Sequence, residues 1–237
     1  HFTYKDKKKI KNKNILISGG FFVFFSIIFL SLMNNDNFDT KIIIIFTLFF
    51  ILGFSDDFFN LSVKIRIILQ FLIASFAYYL IFSDYSPILD FYFFTSLTSN
   101  YLASIFIIFF IVLYVNAFNF IDGIDGLAGS HALFVILINT IIFNLITPYQ
   151  IVNIIFALSL FVIINIQSSF LKKMYLGNSG SFFLGSYLVL LIIKSNLDND
   201  FFHPFIILWI CNYPLFNIGR VVILRLLERK NPFFPDK

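Results

Sequence analysis

The sequence predicts an all-α, polytopic transmembrane helix bundle of about eight spans, and three observations carry that prediction. Hydrophobic residues make up 59% of the 237 and charged residues only 13%, against roughly 45–50% and about 25% in a soluble domain. The 37 Phe run together with Ile and Leu in stretches too evenly apolar to leave a helix a wet face. The basic residues are divided very unequally between the two sets of loops that such spans would create. A soluble enzyme is excluded. Two Met and one Trp beside abundant Phe, Ile, Asn and Lys fit an A/T-biased coding sequence, so the Phe excess is read as drift among apolar residues. Cys211 is the one cysteine and stands in an apolar stretch, where it forms neither an intramolecular disulfide nor a metal cluster alone.

Cutting the apolar stretches at their polar interruptions, with about 20 residues per span, gives segments 15–33, 38–54, 66–82, 101–118, 130–147, 151–167, 182–195 and 203–224. Connections such as Asn34–Asp39 and Thr147–Gln150 are short enough to make neighbouring spans antiparallel. One alternate set of loops holds residues 1–14, 55–65, 119–129, 168–181 and the tail after about 219. With Arg66 counted at a helix entrance, its Lys and Arg number six, two, none, two and five, which is 15 of the 17. The opposite set has Lys41 and Lys194, together with Asp36, Asp39, Asp84, Asp90, Asp198 and Asp200. Because Lys and Arg near span ends are retained in the cytoplasm, the basic set is cytoplasmic. The net charge of +4 then reflects topology and lipid headgroups and calls for no nucleic acid. Residues 1–237 read as a single integral membrane domain. His1 in place of an initiator Met, and the turn-like Asn231–Lys237, lead to the expectation of an interior piece truncated at both ends.

Polar residues collect in three of the cytoplasmic loops. Gly53-Phe-Ser-Asp56-Asp57-Phe-Phe-Asn60-Leu-Ser-Val-Lys64-Ile-Arg66 sets two adjacent carboxylates beside two cations, the arrangement that proton abstraction or metal binding requires. A solvated loop with an Asp helix cap is the plainer alternative. In Asn116-Ala-Phe-Asn119-Phe-Ile-Asp122-Gly-Ile-Asp125-Gly-Leu-Ala-Gly129, helical spacing puts Asn116, Asn119 and Asp122 on one face. Oxygen ligands so gathered suit a hard cation such as Mg²⁺. The glycines allow backbone N–H groups to approach a nucleotide or phosphate. A Gly C-cap followed by an Asp N-cap is the alternative, but polar residues at membrane depth are costly, which favours function. Lys172-Lys173-Met-Tyr-Leu-Gly177-Asn178-Ser179-Gly180-Ser181-Phe-Phe-Leu-Gly185 is either an anion site at a helix N-terminus or a plain capped loop. Arg220, Arg225, Arg229 and Lys230 read as side chains snorkelling to headgroups.

Taken in order, these segments resemble the polyprenyl-phosphate N-acetylhexosamine-1-phosphate transferase family along nearly the whole chain. Gly53 to Gln70 is similar to its aspartate-rich loop, with Asn60 where a third Asp is common. Asn116 to Leu127 matches Asn-x-x-Asn-x-x-Asp-Gly-x-Asp-Gly-Leu at every fixed position. Gly177 to Gly185 resembles Gly-Asp-x-Gly-Ser-x-x-x-Gly, and Ser18-Gly19-Gly20 falls where a Gly-Gly pair opens an early span. Asn178 departs from an Asp assigned to Mg²⁺, and the family's His-rich motif would follow Lys237.

The resemblance implies transfer of N-acetylhexosamine 1-phosphate from a UDP-sugar to polyprenyl (undecaprenyl) phosphate, with release of UMP. This would be the first membrane step of cell-surface glycan synthesis, at the cytoplasmic face of the bacterial inner membrane. It implies a Mg²⁺-dependent (or Mn²⁺-dependent) phosphotransferase, open to homodimer formation. Catalytic roles fall to Asp56 or Asp57 at the lipid phosphate and to Asp122. Metal binding falls to Asp122, Asn119 and Asn178. Substrate contacts fall to Lys64, Arg66, Asn116, Asn119, Asp125, Gly177 and Ser179. The spacing after Asp57 looks like the branch serving O-antigen or teichoic acid rather than the muramoyl-pentapeptide branch. Two other readings stand beside it: a transporter or ion-path component, and an inactive homologue that binds polyprenyl phosphate.

Overall fold

A computed structural model describes residues 18–33, 40–83, 85, 89–91, 94–97, 100–143, 148–166, 174–198 and 204–229. Each of the eight predicted segments contains a helix. They are α1 (Gly19–Met33), α2 (Thr40–Phe59), α3 (Val63–Ala77), α4 (Asn100–Ile121), α5 (Leu127–Phe143), α6 (Pro148–Ile166), α7 (Gly177–Asp198) and, in the last segment, α8 (Pro204–Ile210) and α9 (Asn212–Leu227). Among the described residues, four spans are long and apolar enough to cross a membrane: Thr40–Phe59, Val63–Phe82, Tyr101–Ile121 and Gly177–Asp198; stretches within α1, α5 and α6 are shorter apolar helices. The chain is a multi-pass membrane protein. The predicted loop regions 1–14, Asn34–Asp39 and Thr147, and Lys172, Lys173 and Lys230, lie outside the described residues.

The structure departs from the predicted elements in three places. The helix of span three continues past Ala77 as a wider π-type turn, Tyr78–Phe82. The last span is broken at Cys211, because Pro214 has no N–H to offer the Ile210 carbonyl and its ring crowds that carbonyl. Between spans three and four the chain forms a small antiparallel hairpin, β1 (Leu89–Phe91) with β2 (Phe94–Leu97), pairing Leu89 with Leu97 and Phe91 with Phe94. The segment is rich in aromatic residues, which favour extended backbone. The hairpin adds to the helical architecture, with β1 beside the helix Pro204–Ile210.

The bundle is organised around α7. In the span Gly177–Asp198, 89% of the window is buried, against 28% in Val63–Phe82. The central helix therefore packs on protein all round while α3 turns much of its surface outward, where Ile68, Leu72 and Phe76 are exposed apolar residues. Hydrocarbon exerts no hydrophobic drive between helices, so close packing must hold them together. Small residues on α7 permit that approach: a Cβ on Gly20 of α1 would lie 2.6 Å from the Gly180 nitrogen, and one on Gly185 would lie 3.2 Å from Val115 Cα of α4. Buried phenylalanines fill the space beside the same contact. Phe24 stacks on Phe50 with ring centroids 4.0 Å apart, and Phe183 meets Phe24 edge-on at 5.1 Å. The consequence for function is geometric: the first turn of α7 is held rigidly at one end of the bundle, against the ends of α2 and α4.

Candidate functional site

The last turn of α2 carries Asp56 and Asp57. The helix stops because Asn60 adopts a left-handed conformation (φ 49°), one that Asn tolerates better than most residues. Two residues on, Ser62 caps α3 by accepting the Ile65 N–H at 3.4 Å. This tight reversal turns α3 back beside α2. Arg66 Nη1 then reaches Asp56 Oδ2 at 3.1 Å, forming an ion pair whose aspartate is nearly buried. The guanidinium carbon also lies 6.0 Å from the centroid of the Phe182 ring on α7, a cation–π distance.

Adjacent residues on a helix point about 100° apart, and the two aspartates use that difference. Asp56 Oδ2 also accepts the Asn178 side-chain amide at 2.9 Å. Asp57 reaches the start of α7: its Oδ1 accepts the Asn178 backbone N–H and its Oδ2 the Ser179 backbone N–H, both at 2.9 Å. The helix N-terminus expected as an anion site therefore already holds an anion, supplied by the chain itself. Two backbone hydrogen bonds at the helix start fix the Asp57 carboxyl group there. Gly53, one turn earlier on α2, rests directly on the same point; a Cβ there would stand 2.2 Å from the Asn178 carbonyl oxygen.

The third motif arrives from α4. Asn119 Oδ1 accepts the Ser181 hydroxyl at 2.8 Å, one turn into α7. Asn116 points instead to α3. Its Nδ2 donates to Gln70 Oε1 at 2.6 Å and to the Val112 carbonyl at 2.8 Å. The two asparagines thus bind different helices. Since the Val112 carbonyl demands a donor from Asn116, Gln70 must offer its oxygen, which leaves Gln70 Nε2 buried without an acceptor. Arg66 Nε, one helical turn away, is a second buried donor of this kind. After Ile121 the chain turns. Asp122 is half-buried in that turn and Asp125 is exposed.

Of the predicted site residues, hydrogen bonds and an ion pair join Asp56, Asp57, Arg66, Asn178 and Ser179 into one cluster. Asn119 attaches to it through Ser181, and Asn116 through Gln70 on the helix that carries Arg66. Gly177 opens α7 with φ 68°. Lys64 is exposed on the first turn of α3. Asp122 and Asp125 stand in the neighbouring turn. Among the described residues no three His, Cys, Asp or Glu side chains cluster into a metal-binding group. The donors at hand are carboxylate and amide oxygens. Sequence reasoning passed over Gln70, Asn165 and Ser181. Asn165 carried a usable signal, a lone amide within an apolar run. Ser181 stood at the fixed Ser of the Gly-Asp-x-Gly-Ser motif, and Gln70 carried no signal of its own.

Residues 40–196 match the model of a family described as Glycosyl transferase family 4. The chain is 30% identical over 199 residues to the undecaprenyl-phosphate alpha-N-acetylglucosaminyl 1-phosphate transferase of Thermotoga maritima, covering 79% of this chain and 55% of that protein. It is 27% identical over 243 residues to the Bacillus subtilis protein named "Probable undecaprenyl-phosphate N-acetylglucosaminyl 1-phosphate transferase", covering 97% and 65%. It is 27% identical over 205 residues to the undecaprenyl-phosphate alpha-N-acetylglucosaminyl 1-phosphate transferase of Escherichia coli K12, covering 78% and 52%. The chain spans about half to two thirds of the length of these relatives.

Proposed function

The chain belongs to glycosyl transferase family 4, and on that premise we propose that it transfers N-acetylhexosamine 1-phosphate from a UDP-sugar to polyprenyl phosphate and releases UMP. In this reading an oxygen of the lipid phosphate attacks the sugar-bearing phosphorus of the UDP-sugar. The bond from that phosphorus to the bridging oxygen breaks, and UMP departs with the electron pair. The reaction joins a lipid anion to a soluble dianion, so its site belongs where helices end at the membrane surface, with apolar helix faces beside it. The proposal extends to the cytoplasmic side of a bacterial inner membrane, on the 15-to-2 division of Lys and Arg, and to a role in surface-glycan synthesis.

The observation that carries the reading is the convergence of Asp56, Asp57 and Arg66 on the first turn of α7. Asp56 or Asp57 would orient the attacking phosphate and take its proton. Asp56 is held in place from two sides by Arg66 and Asn178, and Asp57 from α7. Arg66 Nε and Gln70 Nε2 are buried donors with no protein acceptor, suited to phosphoryl oxygens. Lys64 on the exposed side would neutralise incoming charge, and Asp125 would meet the nucleoside. Mg²⁺ would be held by Asp122 with Asn119, and would supply charge neutralisation at the diphosphate. An oxygen-only donor set with few carboxylates suits this ion, which keeps waters and draws further ligands from substrate phosphates. Asn178 donates its amide nitrogen to Asp56, and its amide oxygen would add a neutral ligand to the ion.

The test uses the full-length protein in lipid, with undecaprenyl phosphate, a UDP-N-acetylhexosamine and Mg²⁺. UMP release that requires both substrates is the expected result. Ion flux across liposomes without UMP release would replace the enzyme reading with a transport one. Binding of polyprenyl phosphate without turnover would make the chain an inactive homologue.

A further inference from the structure

The turn that carries Asp122 and Asp125 is weakly held by its own backbone. Its local hydrogen bonds, Ile124 N–H to the Ile121 carbonyl and Leu127 N–H to the Ile124 carbonyl, are long at 3.4 and 3.2 Å. A further hold on it comes from the far end of α6. The Gly126 N–H donates to Asn165 Oδ1, and Asn165 Nδ2 donates to the Met174 carbonyl at 2.6 Å. Asn165 is only 6% exposed, so neither bond is readily replaced by water. The turn sits flush on α6: Gly126 has φ 75°, and a Cβ there would stand 2.6 Å from Ile166 Cδ1. Met174 leads directly into α7, and its neighbour Tyr175 is in turn anchored by the Gly19 N–H at 3.0 Å.

We propose that Asn165 is a positioning residue whose one carboxamide sets the Asp122–Gly126 turn in register with the start of α7, and so sets Asp122 relative to the Asp56–Asp57 cluster. Both ends of the amide are committed, to a donor on one loop and to an acceptor on the other. An apolar side chain of the same size would fill the space and satisfy neither group. The loops would then be free to slide by a fraction of an ångström, which is what a phosphoryl-transfer geometry tolerates least. The kinetic consequence rests on the transferase reading. The clamp itself does not.

The experiment compares full-length wild type with Asn165→Leu, which keeps the bulk, and Asn165→Asp, which keeps the acceptor for Gly126. Hydrogen exchange followed by mass spectrometry reads the peptide spanning 120–128. Asn165→Leu should raise exchange there about tenfold or more, the scale of one buried hydrogen bond lost, with α2 and central α7 peptides unchanged. Its kcat for UMP release should fall roughly ten- to a hundredfold while both KM values move little. Asn165→Asp keeps the Gly126 bond but sets an oxygen against the Met174 carbonyl, so it should restore part of the protection at 120–128 while kcat stays low. Wild-type exchange and kcat in Asn165→Leu would overturn the proposal. So would equal losses in both variants with protection lost through the whole bundle, since that is a packing defect. If wild type releases no UMP, the transferase reading fails and the exchange pattern still decides the clamp.

Discussion

Asp57 accepts the backbone N–H of Ser179 at 2.9 Å across 122 residues of sequence. It is a helix cap supplied by a different helix. An ordinary N-cap residue satisfies the first amides of the helix it precedes. Here Gly177 and Asn178 leave that position open, and the last turn of α2 fills it. One carboxylate thereby ties the end of α2 and the start of α7 into one rigid unit.

Removing that cap should be felt in stability first. Asp57→Ala leaves two buried N–H groups without an acceptor, at a cost of about 1–3 kcal/mol each. Asp57→Asn keeps one oxygen and should recover part of it. Thermal unfolding of the full-length protein in detergent measures both. An unchanged Tm in Asp57→Ala would show that the carboxylate is not a cap in the folded protein.

The glycine beside it is a steric requirement. Gly53→Ala would press a methyl group into the Asn178 carbonyl, 2.2 Å away, where the obstruction is backbone and cannot rotate aside. Loss of folded protein, or of UMP release, is the expected outcome. Gly219→Ala is the control, since nothing lies within 4 Å of its added methyl. Exchanging Gly for Ala inside α9 should stabilise by about 0.5–1 kcal/mol. Equal Tm shifts in the two variants would contradict this packing.

Asn178→Asp would exchange a donor for an acceptor 2.9 Å from Asp56 Oδ2. Two carboxylate oxygens at that separation repel unless a proton or cation comes between them. The variant should melt below wild type in EDTA and regain stability in Mg²⁺ more steeply than wild type does. Matching Tm values with and without Mg²⁺ would mean that position 178 does not face Asp56 as a donor.

Catalysis should depend on Asp56, Asp57 and Asp122 individually. Asp→Asn at each is expected to lower UMP release by on the order of a hundredfold, the scale of a lost proton-transfer or metal-positioning group. Wild-type turnover in all three would remove these aspartates from the catalytic site.

Topology has its own test. Cysteine introduced at Asn60 or Asp125 should react with an impermeant reagent from the cytoplasmic side, and at Lys41 from the opposite side. The native Cys211 is buried and should contribute little background. Labelling of Asn60 and Asp125 from opposite sides would divide the site and end the argument for it.

The fold was largely legible in the chain because a membrane leaves it few options. Apolar runs cut by polar interruptions became helices in every predicted segment, since backbone groups in hydrocarbon must pair internally. The exceptions lay where local chemistry mattered. Pro214 split the last span, and the aromatic stretch around Phe91–Phe94 paired as strands. The three polar motifs also stood out, because Asp and Asn are expensive in such a chain. Their partners did not. That Asn116 turns to Gln70 while Asn119 turns to Ser181 depends on how α3 and α7 flank α4, and no spacing within α4 encodes it.

By itself, then, the sequence determined that this is a multi-helix membrane protein, where its polar residues gather and which family it belongs to. These follow from composition and from motifs that are local in the chain. Only the tertiary structure decided that the helix N-terminus at Gly177 is filled by Asp57, that Asn178 serves Asp56 as a hydrogen-bond donor, and that Asn165 joins two loops. Each of these is a contact between groups far apart in sequence. A buried donor takes whichever acceptor packing brings within 3 Å, and that choice is made by the whole bundle.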